Sequence, residues 1–313
     1  MMSKEIWNVG GITQSGLFLT IKRIDDKIIH SDFAFEMYDS YPGTRWNGGR
    51  PTSTEPEHSF GDFVRQVELL NRHGIGFNFT FSNLLLEEEH LDDERGNHLL
   101  ERFHNGQNGV IVGSEVLARY IRKTFPKHRL INTLTHYRRD LDYYKGALDV
   151  YDVFVLPPAL NQQFGFIEEL GPERVEILVN ETCHRNCPFS KEHYTKISEY
   201  NLSLGKNPYL EAEVRHFCEK HHSERLWPMS AEELGRELIG TSIAPDEVDR
   251  LVELGVNRFK LSARTWIGGM HQDIFSAISA FIFSRMESSE IGDMTHFMTS
   301  IIGLNPRAFK ALS

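Results

Sequence analysis

The sequence predicts one α/β domain built as a (β/α) barrel, TIM-like, irregular in its loops, with seven or eight strands. Three observations lead there. Short apolar stretches rich in β-branched and aromatic residues alternate, six times or more, with segments of helical spacing. The connections between them are short, which is the pattern of a parallel sheet. No Gly-x-Gly-x-x-Gly opens a helix after a strand and no P-loop occurs, so the doubly wound nucleotide-binding sheets lose their signature. Polar residues recur just past the apolar stretches instead: Asn83, His136, Asn161, Asn180, Glu181 and Arg264. In a barrel all of these positions share one rim, where active sites are built.

In chain order, Leu17–Lys22 offers a first weak strand and Phe33–Tyr38 a better one. The latter opens into a Gly- and Pro-dense loop, Asp39–Pro51, that is either a flexible connector or a binding loop. Phe63, Val67 and Leu70 recur at helical spacing over 60–73, and Gly74 stops that helix. A strand over 75–81, a helix over 91–104 and a strand over 109–112 follow. Ser114 then caps a helix to about Phe125, with Val116, Leu117, Tyr120 and Ile121 on one face. Residues 129–134 read as a strand, 137–145 as a helix, and 153–156 as a strand stopped by Pro157-Pro158, with a short helix to Leu170. The strand from Arg174 alternates Val175, Ile177 and Val179 with other residues and ends in Asn180-Glu181.

The segment 184–240 is long, irregular and rich in His, Glu and Lys, and reads as an insertion after the sixth strand that folds over one end of the barrel. Regularity returns with Pro245 in the first turn of a helix to Leu254, closed by Gly255, then a strand over 256–261. Residues 273–286 form a strongly apolar helix and 290–313 a helical tail. The whole, 1–313, reads as a single barrel domain.

With 34 basic against 44 acidic residues the net charge is −10, which disfavours a nucleic-acid-binding face over the whole chain; an RNA target is left open but not favoured. No apolar run approaches the roughly 20 residues of a membrane span and no signal-peptide core begins the chain, so the expected location is the cytoplasm. In that reducing compartment three cysteines do not make a disulfide framework, and metal binding or catalysis explains a close pair better.

The pair is Cys183 and Cys187, within Asn180-Glu-Thr-Cys-His-Arg-Asn-Cys-Pro-Phe-Ser-Lys-Glu-His193-Tyr194; the third cysteine, Cys218, lies near His216, His221 and His222. Zinc wants two such thiolates with a second pair of ligands downstream; an iron–sulfur cluster with one iron open or otherwise bound suits three equally well. As ordinary small hydrophobes, Cys218 after Phe217 fits, while Cys183 and Cys187 among His, Arg, Asn and Pro fit poorly. Glu181 is either a general acid/base or partner of a ligand histidine, or a carboxylate capping the next turn; Asn180 and His193 complete the surroundings.

Lys260, between Phe259 and Leu261, points into the barrel if those two face the helices, and then needs a carboxylate or an anionic ligand. Arg264 just past that strand, Arg50 after Trp46-Asn-Gly-Gly, and Asn83 at a strand end join Lys260 as expected substrate contacts, for a small molecule that carries a carboxylate.

The cysteine segment 179–194, Cys218, the stretch Leu254-Gly-Val-Asn-Arg-Phe-Lys-Leu-Ser-Ala-Arg264, the stretch 152–161 and the Trp46-Asn-Gly-Gly-Arg50 loop together resemble the collagenase-like peptidase family U32, over about residues 30–285. The resemblance implies a barrel that holds an iron–sulfur cluster, 4Fe-4S, on Cys183, Cys187 and Cys218, with zinc as the alternative. The better understood members of that family are similar to oxygen-independent hydroxylases of quinone precursors or RNA bases, with prephenate implicated as oxygen source, and such folds pair with a sister subunit. They supply four cysteines where this chain has three, so the fourth ligand is a non-cysteine group or substrate, unless zinc has replaced the cluster or the cluster has been lost. The leading expectation is a redox modifying enzyme of the hydroxylase type. Its rivals are a metal-dependent hydrolase or peptidase, for which no His-Glu-x-x-His or Gly-x-Ser-x-Gly occurs, and a non-catalytic protein in which the metal staples the insertion.

Overall fold

Eight parallel strands close into a barrel in a computed structural model that describes residues 4–12, 19, 22, 33–52, 59–181, 187–226, 243–262, 266–267, 270–271 and 281–282. The strands are β1 (Glu5–Gly10), β2 (Phe33–Asp39), β3 (Gly76–Phe81), β4 (Gly109–Val112), β5 (Arg129–Asn132), β6 (Val153–Val155), β7 (Val175–Leu178) and β8 (Arg258–Leu261). Each pairs with the next, and β1 closes on β8 with Asn8 opposite Lys260.

Helices α1 (Phe60–Arg72), α2 (Glu94–Arg102), α3 (Glu115–Thr124), α4 (Leu141–Gly146) and α5 (Phe164–Leu170) alternate with the strands, and α9 (Pro245–Leu254) precedes β8. Four of them start where a side chain satisfies the orphan amides of the first turn: Ser59, Asp93, Ser114 and Asp140 each accept from a backbone N–H two or three residues on. The described part of the insertion is helical: α6 (Ser190–Leu202), α7 (Pro208–Arg215) and α8 (Phe217–Leu226). Ile197, Tyr200 and Val214 form a small core of their own between α6 and α7.

Several expectations are corrected. The insertion follows the seventh strand, not the sixth, because Glu5–Gly10 is a strand. Leu19 and Lys22, the described residues of the stretch read as the first strand, are helical. Residues 190–226 are three helices rather than irregular chain, and the helix expected from Tyr137 starts at Leu141, where Asp140 can cap it. On α3 the buried face is Leu117, Ala118 and Ile121, with Val116 turned outward. The apolar helix over 273–286 is described only at Phe281 and Ile282, both buried, and the tail over 290–313 lies outside the described residues.

The period of two along each strand divides the core into two shells. Outward residues, among them Trp7, Phe35, Phe77, Phe79, Phe81, Phe154, Ile177 and Phe259, pack against the helices. Inward, Tyr38, Ile111, Ile131, Val153 and Val155 form one apolar layer. The rest of the interior is charged. Glu36 Oε2 accepts from Arg258 Nη2 (2.5 Å), Arg129 Nη2 (2.7 Å) and Asn78 Nδ2 (2.9 Å), and Asn8 Nδ2 donates to Glu176 Oε1 at 3.2 Å. Strands β2 and β5, and β1 and β7, are not neighbours, so these contacts run through the barrel. Lys260 does point inward: its Nζ stands 3.7 Å from Glu176 Oε1 and 3.9 Å from the centre of the Tyr38 ring.

Candidate functional site

At the ends of β7 and β8 the two strands are tied by a side chain acting like backbone. Asn180 Nδ2 donates to the Ser262 carbonyl (2.8 Å) and Asn180 Oδ1 accepts from Ser262 N (2.7 Å), which fixes where the chain leaves the barrel. Glu181 follows, half-buried, at the point of exit. Residues 182–186, Cys183 among them, lie outside the described residues, as does Arg264. The description resumes at Cys187, half-buried, whose carbonyl accepts from Ser190 N and Ser190 Oγ as the chain turns into α6.

His193 comes one turn into α6. Its ring stacks on Phe217 of α8, centroids 4.6 Å apart and planes 6° from parallel, and its Nδ1 stands 3.9 Å from Cys218 Sγ. His221 fills the space between Phe217 (4.4 Å) and Phe189 (4.6 Å). The stack holds α6 against α8 and brings Cys218 to the start of α6, where Cys187 stands. Desolvation on its packed side, then the neighbouring Cys187, then Glu219 raise the pKa of the Cys218 thiol, although the residue is exposed on its other side. Among the described residues no group of three His, Cys, Asp or Glu side chains is placed to hold a metal ion.

The expected substrate contacts fall elsewhere. Arg50 Nη2 donates to Asp39 Oδ1 (2.6 Å), and Asp39 also accepts from the amides of Ser40 and Ile12, so this guanidinium has its carboxylate inside the protein. Asn83 Nδ2 donates to the carbonyls of Arg45 and Ser198, joining the loop after β2 to α6. That loop is not a flexible connector: Trp46 and Asn47 are fully buried, and a Cβ on Gly48 would come within 2.3 Å of the Ser82 backbone, so the loop can lie on the end of β3 only with glycine there. Asn201 of α6 clasps its far end, accepting from Thr52 N and donating to the Arg50 carbonyl. The charged residues inside the barrel, Glu36, Glu176, Arg129 and Arg258, escaped the sequence reading. The signal for Glu36 and Glu176 is a lone carboxylate between apolar neighbours within a strand, as in Phe35-Glu-Met37 and Val175-Glu-Ile177.

Fold and site together define an eight-stranded (β/α) barrel that carries its thiols and imidazoles on a helical insertion at the end of its seventh strand. No protein-family model and no curated protein matches the chain. Among solved structures it is similar to that of the U32 peptidase Mk0906, with a TM-score of 0.50 and 14% identity over 85% of this chain and 95% of that one. At that identity the likeness is one of fold, and the fold is the one that the resemblance to family U32 implies. No helix of the described residues is long and apolar enough to cross a membrane.

Proposed function

We propose that this chain is a U32-like barrel protein whose insertion holds an iron–sulfur cluster, and that it is a redox modifying enzyme of the oxygen-independent hydroxylase type acting on an anionic or aromatic substrate. The observation that carries the reading is the meeting of Cys218 with His193, 3.9 Å apart, at the helix start that carries Cys187. Thiols and an imidazole are soft donors, the kind a cluster or zinc takes rather than an oxygen-ligated cation, although the described side chains do not by themselves form a three-ligand set. Cys187, Cys218 and Cys183 are the residues that would hold the group, with His193 beside them. When bound, a cluster with one open iron supplies electrons or a Lewis acid.

The chain's own groups have roles around it. Asn180, fixed by Ser262, sets the direction in which Glu181 leaves the barrel, and Glu181 is the group for proton transfer at the exit of β7. Lys260 and its Tyr38 neighbour form the cationic and aromatic part of the interior nearest β8, and with Arg264 they are the proposed contacts of an anionic substrate.

The test is iron, acid-labile sulfide and a visible spectrum on protein purified without oxygen, repeated on Cys218→Ser. Iron with sulfide in the parent and its loss in the variant is the expected result. Zinc without sulfide moves the site to a structural or hydrolytic role, for which the His193–Phe217–His221 stack between α6 and α8 provides the specific support. Neither metal in folded, reduced protein overturns the reading.

A further inference from the structure

A cavity of ≈ 510 Å³ opens between the segment after β5 and the first turn of α6, lined by His136, Tyr137, Arg138, Arg139, Asp140 and Lys191. Three of these six side chains are cations, in a chain whose net charge is −10. Among the described residues none of the three has a carboxylate within salt-bridge distance, whereas Arg119, Arg122 and Arg215 all do. The one carboxylate in the lining is already in use: Asp140 Oδ1 accepts from Tyr143 N at the start of α4.

The cations are placed rather than loose. The guanidinium of Arg138 lies over the Tyr143 ring at 5.2 Å and that of Arg139 over the Tyr137 ring at 5.9 Å, so both planar forks are oriented by aromatic faces. Tyr137 itself sits at φ 52°, a left-handed conformation that a non-glycine side chain rarely takes, where it closes the turn over 134–136 with its N–H on the Leu134 carbonyl. His136 adds a different kind of group. Its Nε2 is buried and has no hydrogen-bond partner among the described residues. Closed off from solvent, it lies beneath the cations rather than among the groups a ligand meets.

We propose that this cavity binds the phosphomonoester group of a small metabolite, with Arg138, Arg139 and Lys191 around the phosphoryl oxygens. Guanidinium forks match phosphate oxygens two at a time, and three cations suit a group that carries between one and two negative charges at neutral pH. A carboxylate, with two oxygens and a single charge, satisfies the three cations less fully. A phosphoryl group fills only part of the volume, which leaves room for an organic moiety. The site needs no metal and does not rest on the proposed cluster.

The experiment is calorimetric titration of the full chain, with and without added iron and sulfide, using glycerol phosphate, inorganic phosphate and succinate as separate probes. Glycerol phosphate is expected to bind one to one, about tenfold or more tighter than succinate, with that affinity lowered about tenfold or more in Arg138→Ala/Arg139→Ala. Arg119→Ala/Arg215→Ala removes the same charge from exposed ion pairs elsewhere and is expected to leave binding within about twofold. Equal losses in the two double variants, succinate binding as tightly as the ester, or no saturable binding would each overturn the proposal. Inorganic phosphate binding as tightly as the ester would overturn the metabolite and assign the site to the free ion. Because binding is read without metal, its failure leaves the cluster reading untouched.

Discussion

Arg258 Nη2 lies 2.5 Å from Glu36 Oε2 in the interior of the barrel, joining β8 to β2 through the space that branched apolar side chains fill in most barrels. The pair does not stand alone. Arg129 reaches the same oxygen, and Glu176, with none of its surface exposed, takes Asn8, Arg258 and Lys260 on its own two oxygens. A buried ion pair adds little net stability over a well-packed apolar one, but removing one partner leaves the other charge stranded.

Glu36→Gln therefore keeps the shape, strands the Arg129 guanidinium and leaves Arg258 only Glu176 at 3.6 Å. The expected loss is about 3–5 kcal/mol in urea unfolding. Burial alone would raise the pKa of Glu36; Arg258, Arg129 and the hydrogen bond from Asn78 outweigh it, and the net shift is below the ordinary 4.5. A carboxylate so shifted stabilises the fold above its unfolded pKa and loses that contribution as pH falls through the folded one. Wild-type stability should thus fall more steeply with acid below pH 4.5 than that of Glu36→Gln; parallel curves would show that Glu36 carries no such linkage.

Gly96 of α2 faces Trp46, and a Cβ placed on it would lie 2.2 Å from the indole Cε3. Trp46 is fully buried and cannot yield without dragging its loop, whose carbonyl accepts from Asn83 N. Gly96→Ala should cost about 1–3 kcal/mol through overpacking, even though alanine favours the helix. A shifted tryptophan emission spectrum in the folded variant would report the displaced ring; an unchanged spectrum with unchanged stability would mean that α2 is free to move.

Most of this barrel was legible because helices and strands alternate with clear periods and because Ser114, Gly74, Pro245 and Gly255 punctuate them. The exceptions have physical causes. Glu5–Gly10 carries Asn8 at the position that faces the barrel, so its alternation is weak, while Leu17–Lys22 is more apolar and reads, by sequence alone, as the first strand. The charged interior was hidden because Glu36 and Arg258 are 222 positions apart and only closure of the barrel joins them. Lys260 was readable because Phe259 and Leu261 flank it. At the site, His193 and Cys218 stand 3.9 Å apart across 25 positions, and the clasp of Asn201 on Thr52 spans 149; neither has a local signal.

That clasp has a measurable consequence. Asn201 Oδ1 accepts from both Thr52 N and Thr52 Oγ1, and its Nδ2 donates to the Arg50 carbonyl, so one amide holds the loop after β2 to α6. Asn201→Ala leaves those groups without partners in a mostly buried place. About 1–3 kcal/mol of stability should be lost, together with earlier amide exchange in α6 than in α1. Exchange that accelerates uniformly over the whole chain would mean that α6 has no separate attachment to the barrel.

His136 sets the acid limit of the rim. Burial holds its imidazole down to about 4, with the positive charges of Arg138 and Lys191 adding to the shift and a hydrogen bond to the Gly113 backbone opposing it. In the unfolded chain the same group protonates near 6.5. The folded state therefore binds the proton later than the unfolded one, and the contribution is complete above pH 6.5 and lost progressively between 6.5 and about 4. A shift of that size corresponds to about 3 kcal/mol over the window. His128, lowered mainly by its own burial, adds to the same slope. His136→Leu should retain more of its neutral-pH stability at pH 4.5 than the wild type does, and the imidazole carbon resonance of His136 should titrate well below the ordinary 6.5. A His136 resonance titrating near 6.5 would mean that water or an anion already reaches the ring.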